Sequence, residues 1–562
     1  MQAMALILRF AVVCLLTSSV WAVDIFPLSE VRAGQRGVGR TVFTGTKVEE
    51  FQVEVLGVME NVAPQQTIIL ARLSGGPLAQ TGVIQGMSGS PVYIDGRLMG
   101  AVALGFDLAK EPVAGIRPIE EMLRVAPEPA RRAAGSPPLL GGLRDIATPV
   151  AFAGFTAATL EQFGPRLREL GLDPRQGVSG GGRPADAMGD PAKLEPGSMI
   201  SVQLLSGDMT VSADGTLTLI DGSKVYAFGH RLLAGGASEM PFASAEVLTV
   251  LPALNSSFKI SRALEWMGTI TQDRSTAISG LTGQRARMAP LEIKAGGHAY
   301  RMNVIQDAVM TPLVTQMAVS SALEATERAV GSTTLHVRGE IRFVGGTVKL
   351  DNVYSGDVSV AIPAANGVAT PLNYALASGF DALKLTGMSL DISTVEERRQ
   401  MQIANVVGPR YARPGEQIEL TVYLTGPDGA EAVRKVQYRI PVGAREQAYN
   451  LTVWDAAQAN AAEFQALAGV PFRSAEQVLD RLNGQRPNSN VYLRVVRAGE
   501  SYQVEGREMP SPPPSVAMIL GRSQPGSENT ITQRGTQVAE VEIPVGENMV
   551  TGSKTIQIEV RQ

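Results

Sequence analysis

The chain has 562 residues, too many for one ordinary domain, and its hydrophobic content of 44% suffices for several cores. The 50 basic and 54 acidic residues nearly cancel, which argues against nucleic acid or an anionic membrane as a partner. With 59 glycines, 34 prolines and only 5% aromatic residues, the composition predicts many turns and a mainly β protein.

The N-terminal residues 1–22 have the pattern of a secretory signal. Arg9 precedes a short apolar core, and small residues stand at the expected cleavage positions, Val20 and Ala22. An uncleaved anchor is the alternative, although the apolar run is short for a membrane span. We therefore expect an exported protein, periplasmic or extracellular, with no transmembrane helix after signal removal. Cys14 is the only cysteine, so the mature chain would have no disulfide and no cysteine metal site.

Residues 23–125 are predicted to form a first β-barrel half. Short runs of strand-forming residues recur there at the spacing of a small barrel, and a closing helix is expected at 119–125. The predicted strands are residues 41–43, 51–58, 67–70, 92–94 and 99–104.

Residues 126–195 are predicted to be a linker and helical insertion. Pro, Ala, Gly and Arg dominate residues 126–149. Apolar periodicity predicts a helix over 157–172, and three glycines at 180–182 predict a loop.

Residues 196–389 are predicted to form a second β-barrel half with an extension. Asp214 and Gly215 are expected to form a turn between two strands, and a later strand leads directly into His230. The predicted strands are residues 200–205, 217–220, 225–228, 266–270, 334–343 and 361–362.

The rest of the chain is divided at residue 446. Residues 390–446 are predicted to be an immunoglobulin-like β domain, because strands with period two at 418–424 and 433–440 flank a Gly-Pro-Asp-Gly turn. Residues 447–562 are predicted to be an α+β region. Its predicted elements are helices 456–468 and 474–482, strand 491–496, and a closing hairpin of 538–543 with 555–560.

One short motif, residues 86–91 (Gly-Met-Ser-Gly-Ser-Pro), carries possible chemistry. Glycines on both sides of Ser88 allow a sharp turn that exposes its hydroxyl. If Ser88 is a nucleophile, the amides of Gly86 and Ser88 are placed to form an oxyanion hole. The alternative is an ordinary turn of a β protein. An α/β-hydrolase elbow is excluded, because Ser90 stands where that motif needs glycine.

Histidine is scarce in this chain. His230 follows a glycine at the end of a predicted strand, a position that suits a general base, with a hydrogen-bonded turn histidine as the alternative. His298 and His336 have no motif around them and are predicted to be structural or surface residues. No histidine pair has zinc-helix spacing, so neither a metal nor a cofactor is expected.

The serine motif, with residues 81–85 before it and 96–102 after it, resembles the nucleophile block of the sporulation stage IV B (SpoIVB) serine peptidase family, whose chemistry is chymotrypsin-like. Residues 214–218 and 224–230 resemble the family's histidine segment. The resemblance implies paired chymotrypsin-like β-barrel halves, Ser88 as nucleophile, His230 as general base and a protein or peptide substrate.

The chain departs from this family in two ways. The serine block precedes the histidine block, whereas the family's peptidases have the reverse order. The family's aspartate before the serine has no counterpart, because residues 71–76 lack a carboxylate. Asp273 is our first candidate for the acid, with an ion pair to Arg274 as the competing explanation. Asp208 and Asp221 are alternatives that turn geometry also explains.

Three functions compete at this stage. The first is a secreted serine endopeptidase or autoprotease. The second is a catalytically silent envelope scaffold or protein-binding module on the same fold, suggested by the missing acid. The third is a carbohydrate-binding or adhesion protein, against which the low aromatic content argues.

Overall fold

The computed structural model describes residues 24–561 except 107–108, 125–142, 178–184, 234, 327–329, 359, 467–470, 505–506, 511 and 523–529. The predicted signal segment and much of the predicted linker thus lie outside the described residues. The protein is mainly β, as predicted. It divides into unit 1 (Met1–Ala151, Arg166–Val202 and Ala213–Ala286) and unit 2 (Phe152–Pro165, Gln203–Ser212 and Arg287–Gln562).

Unit 1 begins with an antiparallel sheet that curls into a barrel, because its strands follow the order β4-β1-β2-β3-β6-β5-β7 and β4 also pairs with β5. Its strands are β1 (Arg36–Thr41), β2 (Glu49–Ala63), β3 (Gln66–Ser74), β4 (Pro91–Ile94), β5 (Arg97–Phe106), β6 (Val113–Pro118) and β7 (Leu143–Asp145). Its helices are α1 (Leu78–Thr81) and α2 (Ile119–Leu123).

The barrel core follows from alternation along its strands. In β2, Phe51, Val53 and Val55 are buried while the residues between them are exposed or half-buried, as period two requires. Met87 of the serine motif is buried in the same core. The serine motif is therefore anchored inside the barrel by the side chain that precedes Ser88. The strand predicted at 41–43 was misplaced, since it ends at Thr41.

The rest of unit 1 is built on a second sheet, with the order β11-β14-β15-β16-β13-β12-β8-β9 and with β10 beside β15. The elements are β8 (Thr148–Ala153), α3 (Ala157–Glu169), β9 (Leu172–Gln176), β10 (Ala185–Met188), β11 (Met199–Gly207), β12 (Thr210–Asp221), β13 (Lys224–Ala227), β14 (Gly236–Leu251), β15 (Phe258–Arg274) and β16 (Ala277–Thr282). Parts of β8, β11, β12 and α3 belong to unit 2.

The turn predicted at Asp214 and Gly215 was wrong, because β12 runs straight through both residues. The Asp214 carboxylate is buried and accepts hydrogen bonds from the hydroxyls of Ser201 (2.5 Å) and Ser261 (2.6 Å). Partners on β11 and β15 therefore satisfy a side chain that, in sequence, is typical of a turn.

Unit 2 contains a sheet with the order β20-β19-β21-β17-β18. Its elements are β17 (Ala289–Ala295), β18 (His298–Val304), α4 (Met310–Thr326), β19 (Val330–Phe343), β20 (Gly346–Val358), α5 (Ala361–Ala377) and β21 (Leu385–Val395). The strand predicted at 361–362 was wrong. Those residues begin α5, an alanine-rich helix that buries Ala364, Ala365 and Val368.

The C-terminal part of unit 2 has two sheets that share one hydrophobic core. Its elements are β22 (Gln400–Val407), β23 (Tyr411–Ala412), β24 (Gln417–Thr425), β25 (Glu431–Arg439), β26 (Ala448–Asp455), α6 (Ala456–Ala466), α7 (Ala475–Asn483), β27 (Asn490–Val504), β28 (Arg507–Pro510), α8 (Pro514–Arg522), β29 (Thr530–Pro544), β30 (Met549–Thr551) and β31 (Ser553–Val560). The immunoglobulin-like topology stays a prediction.

The closing hairpin predicted from the last two strands was wrong. β29 pairs with β27, whereas β31 pairs with β26 and β23. β30, which lies between them in sequence, pairs with β22 of the other sheet, so the chain leaves the sheet before it returns. Among the described helices, none has the length and apolar character that a membrane crossing requires.

Candidate active site

The serine turn is shaped by two glycines with positive φ, Gly86 (93°) and Gly89 (94°). Three of its amides bond to nearby carbonyls: Met87 N to Ile84 O (3.0 Å), Gly89 N to Val102 O (2.7 Å) and Ser90 N to Met87 O (2.9 Å). The amides of Gly86 and Ser88 donate to no described residue. They are the two donors that the sequence analysis predicted for an oxyanion hole, and both residues are buried.

Strand β12 of the histidine block holds the carbonyl side of this turn. The Thr216 hydroxyl donates to Gly86 O (2.8 Å), and the Thr216 amide donates to Ser88 O (2.9 Å). The Thr218 hydroxyl donates to Gly89 O (2.7 Å). These bonds fix the peptide planes around Ser88. The sequence analysis placed both threonines in the histidine segment but predicted no role for them.

The serine and histidine turns are in backbone contact. A Cβ placed on Gly89 would lie 2.0 Å from Thr216 O and 2.5 Å from Phe228 N, so no other residue fits there. Ser88 and His230 are 142 residues apart in the sequence, so it is folding that brings their two blocks together.

The histidine turn has a strained backbone. Phe228 has φ of 70°, a conformation that bulky residues rarely adopt, and Gly229 follows with φ of 69°. The buried Arg117 guanidinium donates to Gly229 O (3.4 Å) and forms an ion pair with the buried Glu121 carboxylate (3.4 Å). Surrounding interactions thus hold the strained turn that presents His230.

The His230 ring has the tautomer of a general base. Its Nδ1 lies 2.7 Å from Arg231 O, and since a carbonyl only accepts, Nδ1 carries the proton and Nε2 keeps its lone pair. Burial lowers the pKa of His230 below its ordinary 6.5, the Asp145 charge opposes that shift, and Arg117 and Arg231 reinforce it. The ring is therefore neutral near pH 7.

The Ser88 hydroxyl and His230 Nε2 are both buried, and neither has a hydrogen-bond partner among the described residues. The expected Ser88–His230 hydrogen bond is therefore not formed. Catalytic hydrogen bonds often close only in the substrate complex, so an unformed bond is compatible with a catalytic pair.

The Asp273 carboxylate lies beside the loop that follows His230, and backbone amides of that loop donate hydrogen bonds to it. The carboxylate is fully buried and accepts from the amides of Leu232 (2.8 Å), Leu233 (2.6 Å) and Gly235 (3.4 Å). The Arg231 carbonyl oxygen accepts the hydrogen bond from His230 Nδ1 that a triad acid would otherwise accept. Of the alternatives, Asp208 accepts from the Arg301 amide (2.6 Å) in unit 2, and Asp221 is exposed at the end of β12.

Asp145 was missed because it lies in a segment predicted to be a linker and insertion. It belongs to β7 and lines, together with His230, a cavity of about 280 Å³. Arg144, Arg231 and Asp173 line the same cavity. No local motif marks Asp145, so only the pairing of β7 with β5 could reveal its position.

The described site thus combines a glycine-flanked serine turn in a β-barrel with an adjoining turn that carries a neutral histidine, and these features are typical of the serine peptidase class. In agreement with this, residues 18–123 match the family model of SpoIVB peptidase S55. The predicted resemblance is thereby confirmed over the serine block, whereas residues 214–230 lie outside the match. No curated protein matches the chain.

Proposed function

We propose that the protein is a serine peptidase with Ser88 as nucleophile and His230 as general base. The observation that carries the proposal is the combination of a neutral His230 with a free Nε2 and two unbonded amides at Gly86 and Ser88. Acyl transfer to serine requires a base and an oxyanion hole, and here their residues lie on two turns in backbone contact.

In the proposed reaction, Ser88 Oγ attacks the scissile carbonyl and its proton passes to His230 Nε2. The amides of Gly86 and Ser88 hold the negative oxygen of the tetrahedral intermediate. His230 then protonates the leaving amine, and water releases the acyl group by the same steps. Because Ser88 is fully buried, the serine turn must open for a peptide to reach it.

We propose Asp273 as the residue that orders the loop after His230. The three amide hydrogen bonds support this role over that of triad acid. Unit 1 has a barrel that carries the serine motif, followed in the chain by a second sheet that carries the histidine segment. This arrangement also favours chymotrypsin-like halves, with the serine half before the histidine half. Residues 1–22 favour action outside the cytoplasm.

The test is covalent labelling by a fluorophosphonate probe, which requires an activated serine. Ser90 is the matched control, because its hydroxyl is also buried and without a partner two residues along the same turn. Labelling is expected in the wild type and in Ser90→Ala, and not in Ser88→Ala or His230→Gln. Undiminished labelling of Ser88→Ala would overturn the assignment.

A silent scaffold is the second candidate function. It is favoured by the absence of a Ser88–His230 hydrogen bond and by the backbone carbonyl at Nδ1 in place of a carboxylate. Loss of the acid costs a triad about four orders of magnitude in rate. If the folded wild type is not labelled and cleaves no peptide, the scaffold is the better account.

A further inference from the structure

We propose that Asp145 is the electrostatic partner of His230, a positioning residue that replaces the acid missing upstream of Ser88. The inference rests on the proposed peptidase function and extends it to a residue that no motif marks. Three observations carry it: the position of β7, the shared cavity and the free carboxylate.

The first observation is that β7 lies along the strand that supports the histidine turn. Asp145 pairs with Leu104 of β5, and the next amide, Ile146 N, donates to Ala103 O (2.9 Å). Ala103 in turn touches the histidine turn, since a Cβ on Gly229 would lie 3.0 Å from its side chain. Strand pairing thus places Asp145 beside β5, the strand that lies against Gly229 before His230.

The second observation is that Asp145 and His230 line one cavity. The third is that the carboxylate of the half-buried Asp145 makes no hydrogen bond with any described residue. The other nearby carboxylates are engaged: Asp273 accepts from loop amides, and Asp173 binds Gln85 (3.0 Å) and Arg175 (2.5 Å). Asp145 keeps its carboxylate out of such hydrogen bonds, and its charge acts on both His230 and the buried Arg117.

The charges around His230 make such a partner necessary. Arg117 on β6 and Arg231 beside the ring both disfavour its protonation, as does burial. When Ser88 gives up its proton, a buried imidazolium must form in this environment. Asp145 is the negative charge that offsets these effects, acting across the cavity rather than through a hydrogen bond to Nδ1.

The direct test is an NMR titration of the His230 ring, which needs no peptidase activity. The chain has only three histidines, so the His230 signal can be assigned with a His230→Gln variant. Asp145→Asn is expected to lower the pKa of His230, and Asp145→Glu to retain it. Asp173→Asn is the control, because Asp173 lines the same cavity but is bound to Gln85 and Arg175.

The same titration in an Arg231→Gln background keeps the test decisive. Removal of that positive charge is expected to raise the pKa of His230, so that the ring titrates at a higher pH than in the wild type. A His230 pKa unchanged by Asp145→Asn in both backgrounds would overturn the inference. In the active enzyme, Asp145→Asn should lower kcat about tenfold to a hundredfold, with KM unchanged. If the wild type shows no peptidase activity but Asp145→Asn still lowers the pKa of His230, only the proposed function is rejected.

Discussion

The side-chain amine of Lys259 donates a hydrogen bond of 2.8 Å to the hydroxyl of Thr41, and both residues are buried. No described carboxylate pairs with the amine, and burial lowers its pKa from 10.5 to about 7. The aliphatic part of Lys259 covers the serine turn, since a Cβ on Gly86 would lie 3.2 Å from its Cδ. A titrating group is thus built into the wall of the candidate site.

The first prediction is that Lys259→Met removes a pH dependence of stability. Between pH 7 and 10.5 the unfolded chain holds the proton that the folded chain has lost, so wild-type stability rises with pH. The slope approaches about 1.4 kcal/mol per pH unit. Urea unfolding near both limits measures it, with the exposed Lys294→Met as control. An equal slope in Lys259→Met and wild type would contradict the lowered pKa.

The second prediction concerns the contact between the two turns. Gly89→Ala should lower the free energy of unfolding by more than about 3 kcal/mol, because the new methyl group meets Thr216 O and Phe228 N at 2.0 and 2.5 Å. Gly96→Ala is the matched control, with φ of 76° and open space around it, and should cost only about 1–2 kcal/mol. Thermal or denaturant unfolding compares them. Equal losses would show that the turns do not touch.

The third prediction concerns Thr216. Thr216→Val removes the hydroxyl that bonds Gly86 O and leaves that buried carbonyl unsatisfied, which costs about 1–3 kcal/mol. It should also slow fluorophosphonate labelling, because the oxyanion amides lose their orientation. Thr216→Ser keeps the hydroxyl and should behave like the wild type. If Thr216→Val and Thr216→Ser are labelled at the same rate, the hydrogen bond from Thr216 to Gly86 O is not needed for catalysis.

The fourth prediction distinguishes two roles for Asp273. Asp273→Asn brings an NH2 group against the amides of the 232–235 loop, so we expect a stability loss of about 2–3 kcal/mol. A triad acid would behave differently: turnover would fall by about four orders of magnitude with little change in stability. Unfolding curves and labelling rates of the same preparation decide between the roles.

The fifth prediction is the pH dependence of activity. His230 must be neutral to accept the Ser88 proton, and burial keeps its pKa below 6.5. The rate should therefore stay flat as pH falls toward 6.5 and decline only below that value. Labelling rates between about pH 5 and 8 test this. A decline centred above 6.5 would show that His230 is not shielded from water as the structure indicates.

The sequence by itself determined features that are encoded by neighbouring residues. The glycines around Ser88 specify a turn through their freedom at positive φ, and β2 and β24 follow from alternation of apolar and polar residues. The helix predicted from residue 474 is likewise local in origin, because the Ser474 hydroxyl caps α7 by accepting from Gln477 N (3.2 Å). Each of these preferences acts within a few residues, so a single segment is enough to reveal it.

Only the tertiary structure decided which distant groups meet. Asp214 resembles a turn residue until Ser201 and Ser261 bond it inside a strand, and Asp145 has no visible role until β7 pairs with β5. The tertiary structure also decides that Arg231 O is the partner of His230 Nδ1, because the strained Phe228 backbone and Arg117 orient the histidine turn. These contacts depend on burial and strand pairing, which are determined by the free energy of the whole fold. No local pattern in the sequence encodes that free energy.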